Sequence, residues 1–185
     1  VSAACSCIGH LPHETYQLTI STSTPTSPAL FLCLILVTPA GAGYDEGLAA
    51  AKRGDFATAL REWRPLAEQG HATSQNNLGF MYGDGQGVVQ DYAAAVKWYR
   101  KAAEQGDVSA QSSLGTMYQK GQGVAQDSFE AVKWYRKAAA QGAAIAQSNL
   151  GTMYRDGQGV VQDYAEAAKW YRKAAEQGYV SAQSS

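Results

Sequence analysis

Residues 97–106 read KWYRKAAEQG, and the same ten letters return at residues 169–178. They also return with one change at residues 133–142. Successive copies start 36 residues apart, and residues 71–106 agree with residues 143–178 at 28 of 36 positions. A fixed period of this length is typical of stacked repeats, in which each unit packs only on its neighbours. Such chains usually offer an extended binding surface rather than one catalytic cleft.

Charge and cysteine content exclude several classes of function. The formal net charge of −1 at pH 7 argues against bulk attraction to nucleic acid or to an anionic membrane. All three cysteines, Cys5, Cys7 and Cys33, precede the repeats, so residues 44–185 contain none. The repeats therefore hold no disulfide framework and no thiol nucleophile. Their stability has to come from apolar packing between neighbouring units.

The first part of the chain differs in composition from the repeats. We interpret residues 1–28, which include a Ser/Thr/Pro tract, as unstructured sequence that is either spurious or a fragment boundary. Residues 29–42 begin with nine apolar residues and end in Ala-Gly-Ala, and a bilayer span needs about 20 residues. This pattern predicts a signal peptide cleaved after Ala42 and an exported, periplasmic or secreted protein, although the usual basic segment before the apolar run is missing. The alternative is an ordinary buried apolar segment in a cytoplasmic protein.

Each full unit has the pattern helix, glycine loop, helix, and we number the units at 71–106, 107–142 and 143–178 as repeats 1, 2 and 3. The first helix of repeat 1 is predicted at about residues 72–82, because its core positions fall on one side of a helix. Those positions are Ser74, Leu78, Met81 and Tyr82, with equivalents Ala110, Leu114, Met117 and Tyr118, then Ala146, Leu150, Met153 and Tyr154. A glycine lies inside each first helix, at Gly79, Gly115 and Gly151, where it costs about 1 kcal/mol relative to alanine. Its presence predicts a close approach of the partner helix.

The second helix of repeat 1 is predicted at about residues 92–105. Asp91, with its equivalents Asp127 and Asp163, is the expected N-cap, since its carboxylate can accept bonds from free amides of the first turn. Apolar positions cover more than half of the circumference of this helix, which suits packing on both its own partner and the next repeat. Gly106, Gly142 and Gly178 lie where a left-handed residue is expected to end the helix.

Both ends of the array differ from the full units. Residues 43–70 align one period upstream but turn through Gly54-Asp55 instead of the glycine loop, which predicts a degenerate N-terminal capping repeat. Residues 179–185 repeat the start of a unit and then stop. We expect this truncated start of a further repeat to fray, and it suggests that the chain is a fragment of a longer protein.

These residues resemble the Sel1-like repeat family, the 36-residue relatives of tetratricopeptide repeats. The resemblance is carried by Ala110-Gln-x-x-Leu-Gly-x-x-Tyr118, Gly121-x-Gly-Val124, Asp127, Ala131, Trp134 and Ala138-Ala139 followed by Gly142. It implies an all-α fold, a right-handed α/α solenoid of antiparallel helix pairs with a 36-residue period. It also implies a non-catalytic adaptor or scaffold that binds a protein or peptide in its concave groove.

Two other functions remain open at this point. One is a β-lactam-binding or cell-wall-acting enzyme, as in the cysteine-rich branch of the family, although this chain lacks the repeat cysteines of that branch. The other is a structural spacer in a longer multidomain protein.

The partner is expected to bind on the face of the first helices opposite the core, because in tetratricopeptide-like stacks the first helices line the groove. The candidate binding residues are Asn76, Phe80, Ser112, Thr116, Gln119, Ser148, Thr152 and Arg155. Most are small and polar, which suits the backbone amides of an extended peptide, and Phe80 is the one aromatic. Exposed aromatics are frequent binding anchors, but Phe80 could equally pack on the capping repeat near Tyr44 or Leu48.

No catalytic residue, cofactor site or metal site is predicted. The motifs of common hydrolases and nucleotide-binding proteins do not appear in the sequence. Cys5, Cys7, His10 and His13 have metal-ligand side chains, but their spacing fits no zinc pattern. The second helices carry nine of the fifteen basic residues, which we interpret as a solvated face rather than a site for nucleic acid. Those residues are Lys97, Arg100, Lys101, Lys133, Arg136, Lys137, Lys169, Arg172 and Lys173.

Overall fold

The computed structural model describes residues 40–179, with side chains from residue 43 onward. Eight α-helices of 13 residues each make up this range, which contains no strand. Their bounds are α1 Ala40–Lys52, α2 Phe56–Glu68, α3 Ala72–Asp84, α4 Tyr92–Glu104, α5 Val108–Lys120, α6 Ser128–Ala140, α7 Ala144–Asp156 and α8 Tyr164–Glu176. We call α1, α3, α5 and α7 the first helices and α2, α4, α6 and α8 the second helices.

Every helix packs on the helix before it and on the helix after it in the chain. The closest packing joins the two helices of one repeat, and each second helix then packs on the first helix of the next repeat. This chain of neighbouring pairs is the α/α solenoid that the 36-residue period predicts. Three predictions concern residues outside the described range: the signal peptide before residue 40, the early Cys and His residues, and residues 180–185.

Asp and Gly residues set the helix bounds as the sequence predicts. Asp91 accepts a hydrogen bond from the amide of Ala94 at 2.9 Å, and Asp127, Asp163 and Asp55 cap their helices in the same way. Gly106 comes directly after Gln105, the C-cap of α4, and its φ is 95°. This is the left-handed conformation, which glycine adopts without steric cost. The helices α3, α5 and α7 end two residues later than predicted. Each one stops at the first glycine of the loop that follows it, at Gly85, Gly121 and Gly157.

The second glycine of each loop brings neighbouring repeats into contact. Gly123 has a φ of 71°, and a Cβ at this position would overlap the carbonyl of Tyr92 at the start of α4. A Cβ on Gly159 would likewise overlap the carbonyl of Ser128 at the start of α6. The loop of one repeat therefore packs on the start of the second helix of the preceding repeat.

The glycine inside each of the helices α3, α5 and α7 receives a tyrosine ring from the partner helix. A Cβ on Gly79 would lie 2.6 Å from Cδ1 of Tyr99, and a Cβ on Gly115 would lie 2.7 Å from the equivalent atom of Tyr135. Real Cβ atoms do not approach other atoms so closely, so only glycine lets the ring come this near to the helix. The predicted close approach is confirmed.

The buried core follows the predicted positions with one consistent difference. Ser74, Leu78 and Met81 are fully enclosed, whereas Tyr82 and its equivalents Tyr118 and Tyr154 are only partly buried. Their hydroxyls reach the surface and accept hydrogen bonds from Arg64, Arg100 and Arg136 of the preceding second helix, at 3.1, 2.7 and 2.7 Å. A core position on the helix does not by itself predict these hydrogen bonds at the surface. The tyrosine ring is apolar and packs in the core, whereas its hydroxyl needs a hydrogen-bond partner.

A row of buried glutamines links the repeats, and the sequence analysis did not assign it a role. Gln75 is buried, donates from Nε2 to the carbonyl of Ala67 at 2.9 Å and accepts from Nε2 of Gln105 at 2.7 Å. Gln111 and Gln147 repeat both bonds with Ala103 and Gln141, and with Ala139 and Gln177. Each glutamine thus joins the end of the preceding second helix to the end of the second helix in its own repeat.

The basic residues of the second helices are exposed, but they also make specific contacts, so the prediction of a merely solvated face is incomplete. Arg100 and Arg136 bond to tyrosines of the next repeat, as described above. Lys101, Lys137 and Lys173 place their Nζ atoms 4.5, 4.2 and 4.4 Å from the ring centroids of Trp98, Trp134 and Trp170. Lysines over indole rings make favourable cation–π contacts.

We expect Gly79→Ala to lower the free energy of unfolding by about 1–3 kcal/mol, because the new methyl group collides with the Tyr99 ring. Gly83→Ala in the same helix is the control, since its Cβ would meet nothing closer than 3.7 Å. This control should be neutral or stabilising by up to about 1 kcal/mol, because alanine has the higher helix propensity. Urea denaturation measures both changes, and equal stabilisation by both variants would contradict the proposed contact.

We expect Gln111→Met to lower the free energy of unfolding by about 1–3 kcal/mol, because it leaves the carbonyl of Ala103 and the amide of Gln141 without their partner. Gln158→Met, at an exposed loop position, should change stability by less than about 0.5 kcal/mol. Thermal and urea denaturation of the two variants give the comparison. A Gln111→Met protein as stable as the control would show that these buried bonds contribute little.

Candidate functional site

A groove of about 430 Å³ opens between α5 and α7 on the face of the first helices. The residues that line it are Val108, Ser109, Ser112, Ser113, Thr116, Ala143, Ala144 and Ile145. Ser112 and Thr116 were expected to bind a partner, and they lie together in this groove. The sequence analysis missed the other six.

The two walls of the groove differ in chemistry. The α5 wall carries four hydroxyl groups, and two of them are held by their own helix: Ser112 donates to the carbonyl of Val108 at 3.1 Å, and Thr116 donates to the carbonyl of Ser112 at 3.2 Å. The opposite wall is the first turn of α7, where Ile145 is 53% exposed. One wall therefore offers hydrogen bonds and the other offers apolar contact.

Ile145 is not among the predicted residues because it lies at the start of the helix and not on the face opposite the core. A signal was present in the sequence. The equivalent positions hold Thr73 and Ser109, so the three repeats disagree there. A large apolar side chain at a position that is polar in the other repeats, and exposed in the structure, indicates a role other than stacking.

Thr116 and Gln119 belong to an internal network. The hydroxyl of Tyr135 lies 3.0 Å from Oγ1 of Thr116 and donates to Oε1 of Gln119 at 2.9 Å. Nε2 of Gln119 then reaches Sδ of Met153 in the next repeat at 3.3 Å. Gln119 is thus held at both ends, and its first role is to join repeats 2 and 3.

The remaining candidates are scattered. Thr152 lies 2.9 Å from the hydroxyl of Tyr171, and Asn76 is half-buried. Arg155 is exposed and pairs with Asp156 at 2.7 Å. Ser148 is only 6% exposed, so little of its surface is accessible. Its short side chain lies below the surrounding surface.

Phe80 lies at a second depression of about 330 Å³, between α3 and the capping repeat. Its side chain is 47% exposed, and it shares this pocket with Phe56, Trp63 and the end of α1 at Ala51 and Lys52. Tyr44, the neighbour considered from the sequence, instead lies against Trp63 and His71. About half of the surface of Phe80 is therefore covered by the capping repeat side of this pocket, and the other half is exposed.

The tyrosines beneath this face are held neutral. Burial raises the pKa of Tyr99 to about 12, because a low-dielectric surrounding disfavours the phenolate. Burial also raises the pKa of Tyr135, while the hydrogen bond with Thr116 acts in the opposite direction. At neutral pH these hydroxyls are uncharged hydrogen-bonding groups and cannot serve as bases.

Metal binding and membrane insertion find no support within residues 40–179. No three His, Cys, Asp or Glu side chains of this range come together as metal ligands. None of its helices is long and apolar enough to cross a bilayer.

Comparison with known proteins agrees with the repeat pattern. The Sel1 repeat family model matches residues 72–107, 108–142 and 144–179. No protein of curated function matches the chain.

Solved structures of repeat proteins are similar to this chain. One is c5321 of Escherichia coli, described as a protective antigen present in uropathogenic strains and displaying an SLR fold. It has 45% identity and a TM-score of 0.73 over 76% of this chain and 31% of its own. A Sel1 repeat protein from Oxalobacter formigenes has 41% identity and a TM-score of 0.68 over 71% of this chain and 54% of its own.

Cysteine rich protein B of Helicobacter pylori shares the fold at 22% identity and a TM-score of 0.52, over 68% of this chain and 91% of its own. This chain covers only about a third of c5321 and about half of the Oxalobacter protein. Three matches to the family model account for more than half of the chain. The chain belongs to the Sel1 repeat family.

Proposed function

We propose that the chain is a non-catalytic scaffold that binds an extended peptide segment of a partner protein on the face of its first helices. The observation that carries this proposal is the groove between α5 and α7. Sel1 repeats usually mediate protein interactions, and the groove is the surface to which we assign that role.

The dimensions and chemistry of the groove suit a short stretch of peptide. A volume of about 430 Å³ lies within the range of ligand pockets, roughly 300–1,000 Å³. The hydroxyls of Ser109 and Ser113 can bond to backbone amides, which an extended peptide presents along both edges. Ile145 offers an apolar contact for one side chain of the peptide. Recognition would then depend on backbone bonds together with one anchoring side chain.

The lining residues also argue against catalysis at this site. They include no His, Cys, Asp, Glu or Lys, so the groove contains no side chain suited to general acid–base chemistry near neutral pH. Its serines have no base as a lining neighbour, and an unactivated hydroxyl is a weak nucleophile. Binding is the function that these residues can perform.

We expect Ile145→Glu to weaken peptide binding at least about tenfold, because the carboxylate would occupy the apolar wall of the groove. Val161→Glu is the matched control: it makes the same change at a loop residue that is 89% exposed and lies outside the groove. Peptides selected from a random display library on the unchanged protein would be measured against both variants by fluorescence anisotropy. Circular dichroism would confirm that both variants keep their helices.

Two results would contradict this assignment of the groove. One is that the selected peptides bind the Ile145→Glu protein as well as they bind the control. The other is that both variants lose affinity equally, which would point to a general effect of charge.

We also propose that the protein is exported and that a signal peptidase removes residues 1–42. The proposal rests on the apolar run and its Ala-Gly-Ala ending. Cleavage after Ala42 would remove only the first turn of α1, and the rest of the repeat domain would stay intact. The contacts that hold α1 lie further along, where the carbonyl of Tyr44 accepts a bond from Trp63 at 3.2 Å and Ala50 is fully buried.

Expression of the whole sequence in a Gram-negative host should yield a periplasmic protein whose first residue is Gly43, identified by N-terminal sequencing and intact mass. A chain made directly from Gly43 should have the same melting temperature as this product. Recovery of the uncleaved chain from the cytoplasm would contradict export.

A further inference from the structure

A separate pocket of about 380 Å³ lies on the face of the second helices in repeat 1, where α4 meets the end of α3. The side chains that matter for its chemistry are Tyr82, Lys97, Trp98, Arg100, Lys101 and Glu104. Three of these are cations and one is an acid, although the whole chain has a formal net charge of −1. The positive charge of the pocket is therefore local.

The pocket differs from the equivalent surfaces of both repeats 2 and 3 at residue 94, and repeat 2 also has Ala140 in place of Glu104. Glu130 forms an ion pair with Lys133 at 2.9 Å, and Glu166 forms one with Lys169 at 2.8 Å. Repeat 1 has Ala94 at this position. Lys97 consequently makes no ion pair with any carboxylate of residues 43–179, and its charge is left for a ligand.

The tryptophan of the pocket is also more accessible than the next equivalent. Trp134 is 6% exposed, whereas Trp98 is only partly buried and lines the pocket. Nζ of Lys101 lies 4.5 Å from the centroid of its ring. An apolar surface thus lies directly beside unneutralised cations, a combination that suits a ligand with both acidic and apolar groups.

Arg100 adds a fixed cation to the pocket. Its Nη2 donates to the hydroxyl of Tyr118 at 2.7 Å, which holds the guanidinium in one position without neutralising it. A guanidinium has five N–H donors in a planar arrangement. Arg100 can therefore bond to a carboxylate while it keeps its hydrogen bond to the hydroxyl of Tyr118. Ordering this side chain in advance lowers the entropy cost of binding.

We propose that this pocket binds an acidic segment of a partner protein, with carboxylates at Lys97 and Arg100 and an apolar side chain against Trp98. The site lies on the second helices and does not depend on the groove between α5 and α7. It favours a peptide over nucleic acid, because a phosphate backbone requires a continuous track of free cations. The equivalent lysines of repeats 2 and 3 are already paired with glutamates.

The test introduces into repeat 1 the acid that repeats 2 and 3 already contain. Ala94→Glu would place a carboxylate three residues before Lys97, as Glu130 lies before Lys133, and should not disturb the helix. Ala93→Glu is the control, because it adds the same charge one residue away, at an exposed position that does not line the pocket. The full chain would be titrated with a fluorescein-labelled peptide of alternating glutamate and leucine.

We expect Ala94→Glu to weaken binding of this peptide about tenfold and Ala93→Glu to change it less than about twofold. A peptide with glutamine in place of glutamate should bind the unchanged protein more weakly than the acidic one. Among the four tryptophans, the indole N–H signal of Trp98, assigned with Trp98→Phe, should shift most in the ¹⁵N spectrum. Equal losses in both variants, equal binding of the glutamine peptide, or tighter binding of a single-stranded oligonucleotide would each overturn the proposal.

Discussion

The contact between a glycine of the first helix and a tyrosine ring of the second helix sets the spacing within every repeat. Gly79, Gly115 and Gly151 each receive a ring at a distance that excludes a Cβ. Because the two helices approach so closely, small residues suffice between them, and Ala95 and Ala131 are completely buried. Glycine costs helix propensity at these positions, and the ring contact offsets that loss through dispersion.

Polar bonds then fix how one repeat lies on the next. The bonds from buried glutamines to carbonyls, the arginine–tyrosine bonds and the loop glycines each connect a residue in one unit to a defined residue in its neighbour. Apolar packing alone tolerates small sliding movements, whereas a buried hydrogen bond has strict geometry and is costly to leave unmade. The repeats that carry the two proposed sites are therefore held in a defined arrangement, which favours binding by reducing the entropy lost on association.

The sequence predicts the parts of this structure that follow from local rules. Asp91 as a cap, Gly106 as a helix stop and Gly79 as a point of close approach each depend on the chemistry of one residue at one place in a helix. Gln111 belongs to the motif that carries the family resemblance. Its bonding role could not be predicted, because it depends on three helix ends that meet around this side chain. The groove was predicted only in part for the same reason: Ser112 is polar on the expected face, while Ile145 matters because of a gap between two helices.

All bonds of one kind between repeats span the same number of residues. The arginine–tyrosine bonds always join positions 18 apart, and the bonds from the buried glutamines to the carbonyls of the preceding repeat always join positions 8 apart. A whole unit of 36 residues could therefore be duplicated or deleted and every bonding group would still meet a partner of the right kind. An insertion of any other length within a repeat would separate these pairs. The structure thus allows the array to grow or shrink in complete periods, which gives the chain a simple route to longer or shorter binding surfaces during evolution.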